Sequence, residues 1–188
     1  MTSPLDPEAK ISAGNRLHLR VTSTPVEGDS ALTASNISDI EVRPSVSVSM
    51  IPNVEELIFT ADELDAGNMF KMFDLEVSLL SNFPSGTMGS AIINITSEAT
   101  QFTSVDGATY GAQETSRWNS SVGPNSTNLD LGQSRTLVTS VLGPTETLPA
   151  AGVLNFTLTA STSLSGMVGI TSPDTSSTFR VIIETVID

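Results

Sequence analysis

The chain has 188 residues, no cysteine, 21 acidic residues, 8 basic ones and a formal charge of −13 at pH 7. Lacking cysteine, it can build no disulfide framework, zinc–thiolate site or cysteine nucleophile. Lacking a basic patch, it has nothing to neutralise phosphates, which argues against nucleic acid as a partner. Serine and threonine number 27 and 23, a composition of exposed strand faces and turns. With aromatics at 5%, the core is expected to be aliphatic.

Residues 1–15 read as an extended arm, because Pro4, Pro7 and Gly14 oppose regular structure. A terminus of this kind frays unless held. The arm is therefore expected to be pinned, either against a neighbouring subunit or against its own domain. The start has neither a basic n-region nor an apolar h-region, and the retained Met1 sets the expectation that no leader has been removed. No run approaches the ~18 apolar residues of a spanning helix.

From Arg16 the period is two. Leu17, Leu19 and Val21 alternate with His18, Arg20 and Thr22, which is a strand with one wet face. Strands follow in NISDIEV and in SVSVSMI, where Pro44 precedes and Pro52 ends the second. VEELIFT is a short strand, and ADELDAGNMF a helical turn or acidic loop. FDLEVSLLS alternates Phe73, Leu75, Val77 and Leu79, and NFPSGTMG is a turn. SAIINITS, TQFTSV, ETSRWNSSV, SRTLVTSVL, VLNFTLTAS and TFRVIIETVI complete the set. The last is the most apolar and is expected inside a sheet. Stretches 122–133 and 143–152 read as the longest irregular segments. About nine or ten strands without a long amphipathic helix make a sandwich or closed barrel. Leu17, Leu19, Val21, Val77, Leu79, Leu158 and Ile183 are the expected core.

Candidate chemistry is sparse. His18 is the only histidine, so a triad or histidine metal site lacks partners, and it reads as a solvent-facing strand residue. Asp62, Glu63 and Asp65, with Glu55 and Glu56 upstream, form the densest acidic stretch. Oxygen-rich loops hold calcium, but the spacing is not that of an EF-hand, and a solvated loop is the simpler reading. No carboxylate pair stands out for acid–base chemistry, and Trp118 and Tyr110 are too few for a sugar platform. The chain is accordingly read as a non-enzyme without a cofactor. Sequons occur at Asn36, Asn94, Asn119, Asn125 and Asn155. Asn94 and Asn155 fall inside expected strands, whereas Asn119 and Asn125 border a loop. Trp118 reads as a large core residue, the alternative being an interface anchor beside Arg117.

A lysine-poor, acidic, cysteine-free β-chain with strands of the RLHLRVTST type resembles a viral coat subunit. More narrowly, it resembles the small major capsid proteins of haloarchaeal icosahedral viruses with an internal membrane. That resemblance implies a vertical single jelly roll, other capsid subunits including a larger capsid paralogue as partners, a viral membrane beneath the shell, and the virion as location. The expectation is thus an all-β fold, a single jelly-roll β-sandwich or barrel of about eight to ten antiparallel strands over residues 16–188, working as a capsid subunit in salt. A decoration protein, receptor-binding spike or surface adhesin is the alternative.

Overall fold

The computed structural model describes residues 16–23, 34–41, 44–84, 86–105, 107, 109–110, 112–145, 147–167, 170 and 172–184, the first two segments as backbone. The arm at 1–15 lies outside the described residues, as do the side chains of His18, Leu17, Leu19, Val21, Asn36 and Tyr110.

Strands β1 (Arg16–Ser23) and β2 (Ala34–Glu41) pair antiparallel as a two-stranded sheet, with Leu17 opposite Ile40 and Arg16 opposite Glu41. The remaining strands form two layers. One contains β3 (Val46–Pro52), β5 (Phe70–Ser81), β10 (Ser134–Leu142) and β8 (Asn119–Gly123), in the order β3-β5-β10-β8. The other runs β4 (Glu56–Phe59), β12 (Thr175–Ile183), β11 (Gly152–Ser165), β6 (Ser90–Ser104) and β7 (Thr109–Tyr110), with β9 (Ser126–Asp130) also on β6. Two short helices, α1 (Ala61–Asp65) and α2 (Ala112–Thr115), lie in connections.

The all-β sandwich is as expected, but its strand order is not that of a jelly roll. With β3, β5, β6, β8, β10, β11 and β12 lettered A to G, and the short β4, β7 and β9 left unlettered, one layer reads A-B-E-D and the other carries C, F and G side by side, the arrangement of immunoglobulin-type sandwiches. β4 continues from β3, changes layer and pairs parallel with the last strand, β12. β3 and β5, separated in sequence only by β4 and α1, are neighbours in one sheet. The two-residue period that marks each strand is blind to which strands become neighbours, so the order could not be read from alternation.

Each strand's alternation sets its inward face. In β3 Val46, Val48 and Met50 are buried, and in β5 Phe73, Leu75, Val77 and Leu79. Leu158 and Ile183 are buried as expected. The core is less aliphatic than the composition suggests. Phe59, Phe73, Phe102, Phe156, Phe179 and Trp118 are all buried. Phe179 stacks on Phe156 at 4.9 Å and meets Phe73 of the opposite layer edge-on at 4.7 Å. Few aromatics are present, but they gather where the two layers meet, because each fills the volume of two small aliphatics. Trp118 is core, edge-on to Phe59 at 5.5 Å.

Three local expectations change. SAIINITS and TQFTSV are one fifteen-residue strand, β6. Its register against β11 slips between Asn155 and Phe156, leaving Thr100 as the extra residue. The bulge reverses the alternation, so Ile93 and Ile95 point inward before it and Phe102 after it. Segment 122–133, expected as irregular, contains β9, in which Thr127 and Leu129 are buried. ETSRWNSSV divides into α2 and β8. The described residues between 143 and 151 are irregular, as expected, and β11 starts at Gly152.

Candidate functional site

The acidic stretch becomes the turn of α1. Thr60 is its N-cap: its hydroxyl accepts from the Glu63 amide at 3.3 Å, and the Glu63 carboxylate accepts from the Thr60 amide at 3.0 Å. This capping box satisfies amides that the first helical turn leaves unpaired. Lys71, on β5, reaches both Glu63 oxygens at 2.8 Å, donates to the Ile58 carbonyl at 2.5 Å and stands 5.1 Å from the centre of the Phe59 ring. The Lys71 hydrogen bond, followed by that from the Thr60 amide, holds the Glu63 carboxyl below its ordinary pKa. Glu63 thus ties β5 to the β4–α1 connection. Asp62 and Asp65 are exposed on either side of it. Among the described residues no three acidic or histidine side chains converge as metal ligands.

The other cations of the sandwich are also engaged. Arg117 pairs with Glu114 at 2.8 Å and donates to the Thr147 carbonyl at 2.8 Å and to its hydroxyl. Arg180 pairs with Glu56, and Arg135 donates to the Thr127 hydroxyl at 3.1 Å. These contacts fasten loops and strand ends. Among the described residues, grooves lie on the six-stranded layer. One is lined by Thr103, Gly152, Val153 and Ile182 among others, another by Glu55, Thr100, Asn155 and Arg180. Each carries a single carboxylate among its lining residues, Glu184 and Glu55 respectively.

Asn94 and Asn155 are strand residues, on β6 and β11, and Asn36 lies on β2. Asn119 opens β8, and Asn125 sits in the turn between β8 and β9; both are exposed.

The most distinctive surface is one that sequence reasoning passed over. On the outer face of the four-stranded layer, Phe70 is 53% exposed, Met72 60%, Val138 44% and Leu142 42%. Phe70 is in register with Leu142, Met72 with Ser140, and Asp74 with Val138, so the four apolar side chains are neighbours on two adjacent strands. Asp74 and Glu76, both exposed, continue the same face along β5. The signal was present in FKMFDLEVSLL. Phe70 and Met72 are out of phase with Phe73, Leu75, Val77 and Leu79, and a strand with one wet face has no use for apolar residues on that face.

The chain matches no protein-family model and none of the curated proteins. Among solved structures it is similar to the ASH/PapD-like domain (PapD-like domain 7) of human CEP192, at 12% identity and a TM-score of 0.43, over 74% of this chain and 84% of that one. It is similar to the CooA pilin subunit of enterotoxigenic Escherichia coli at 9% identity and a TM-score of 0.40, over 74% and 99%. A family 123 glycoside hydrolase from Clostridium perfringens is similar at 9% and 0.39, over 77% of this chain but only 27% of the enzyme. Likenesses this distant carry no argument about activity or partners, and the architecture above rests on the strand ladders alone.

Proposed function

We propose that the chain is a non-enzymatic structural subunit that works by assembly, specifically a coat subunit repeated in a virion shell. The observation that carries this reading is the apolar patch of Phe70, Met72, Val138 and Leu142 on a rigid sheet face. Contiguous apolar residues on an outer face favour contact with another protein surface, since covering them removes apolar area from water. The sandwich supplies a stiff block, and repetition of weak contacts over many copies supplies avidity. The acidic surface keeps unassembled subunits apart and soluble until salt screens their charge. Partners under this reading are further copies of the chain and a larger coat paralogue, with a membrane beneath the shell.

The test is assembly itself. Purified protein in molar salt is expected to sediment as oligomers or larger particles, and Phe70→Ser with Met72→Ser to shift it towards monomer with an unchanged melting midpoint. A chain that stays monomeric at high concentration in every salt, with or without these substitutions, contradicts the reading.

A further inference from the structure

The edge of β3 is open. Among the described residues β3 pairs only with β5. The Asn53 amide donates to the Asp74 carbonyl and the Asn82 amide to the Ser45 carbonyl, so Ser45 and Asn53 bond towards β5. Alternation places the backbone groups of Ser47, Ser49 and Ile51 on the same side, and turns those of Val46, Val48 and Met50 outward. Three amides and three carbonyls in a row are a template for another strand. The β1–β2 hairpin is the complementary fragment. Its strands of eight residues match the seven of β3. A two-stranded hairpin is marginal on its own and gains stability from a third strand.

We propose that β1 of one copy adds antiparallel to the β3 edge of a second copy, and reciprocally, so that two copies exchange hairpins across a two-fold axis. Two observations select β1 over β2. The β1 sequence alternates Leu17, Leu19 and Val21, as β3 alternates Val46, Val48 and Met50. β1 also carries Arg16 and Arg20 and no acid, whereas β2 carries Asp39 and Glu41. The strand next to β3 presents the exposed carboxylates of Asp74 and Glu76, and the sandwich's own Lys71, Arg117 and Arg180 are paired elsewhere.

Chain length selects a second copy over the same one. If β1 lay antiparallel to its own β3, β2 would run parallel to β3, and Glu41 would end near Pro52. Val46 would then be a strand length away, about 20–23 Å along β3, plus two strand spacings of about 4.8 Å each. The five residues from Glu41 to Val46 span at most about 18 Å. Antiparallel addition of β1 is therefore open only between copies, which is the geometry of element exchange in symmetric dimers.

This inference deepens the assembly reading and rests on it, but it fails separately: copies that associate without exchanging hairpins remove the exchange and leave assembly standing. The chain's lack of cysteine makes the test clean. Single variants His18→Cys and Ser47→Cys are mixed and treated with a short bismaleimide. A cross-linked heterodimer of the two variants is the expected product. In parallel, the double variant His18→Cys/Ser47→Cys is treated alone. An internally looped monomer from it, with no heterodimer from the mixture, places the hairpin on its own β3 and overturns the proposal, as does the absence of any cross-link. Leu19→Asp is expected to weaken dimerisation by at least about tenfold while the melting midpoint of the sandwich stays in place. Undiminished dimerisation of that variant also overturns the proposal.

Discussion

Leu158 and Gly152 show how individual positions hold this sandwich. Leu158 is wholly buried on β11, between Ser177 of β12 and Ser97 of β6 in register. Leu158→Ala is expected to cost about 2–5 kcal/mol, the loss of transfer energy plus the cavity left behind, read from chemical denaturation. Gly152 opens the same strand with no room for a side chain. A Cβ there would stand 2.3 Å from the Thr103 carbonyl oxygen and 2.9 Å from the Phe102 ring. Its neighbours are backbone and a buried ring, neither free to retreat. Gly152→Ala is expected to destabilise by about 1–3 kcal/mol; a melting midpoint equal to wild type would show that the two strands are not so close.

At the scale of elements, the α1 connection depends on Glu63, Thr60 and Lys71. A carboxylate whose folded pKa is depressed contributes stability above its unfolded pKa and loses that contribution as pH falls through the folded value. Glu63 is such a group. The stability gap between wild type and Glu63→Gln is expected to be present at pH 7 and to close in acid, below the ordinary carboxylate range. Denaturation midpoints of both proteins across that range measure it. Thr60→Ala, which removes the cap hydroxyl, is expected to cost roughly 1 kcal/mol. A gap between wild type and Glu63→Gln that widens in acid would contradict the assignment. The strands themselves were legible as alternation, and Val77, Leu79, Leu158 and Ile183 were placed inside on that ground alone. What alternation could not show is anything that breaks or ignores it. The bulge at Thr100 reverses the phase of β6, which made one strand look like two. β9 hid in a polar stretch with only Thr127 and Leu129 turned inward. The apolar patch was visible as Phe70 and Met72 out of phase, but its completion by Val138 and Leu142 required the register of β10 on β5. The immunoglobulin-type order likewise depends on pairings between distant strands, which no local pattern encodes.

For the whole molecule, 21 acids against 8 bases leave a charge that must be screened as copies approach. Lowering salt from molar to about 10 mM lengthens the Debye screening distance roughly tenfold, so the melting midpoint is expected to fall on dilution. A midpoint that holds or rises would remove salt adaptation from the reading while leaving the sandwich untouched. Assembly is the function proposed for that sandwich, and sedimentation velocity of the full chain in molar salt, over a hundredfold range of concentration, tests it most directly. A sedimentation coefficient that climbs with concentration into oligomers, and that Phe70→Ser/Met72→Ser pulls back towards the monomer, is the result expected. A single monomeric boundary at every concentration, identical in the two proteins, would contradict it.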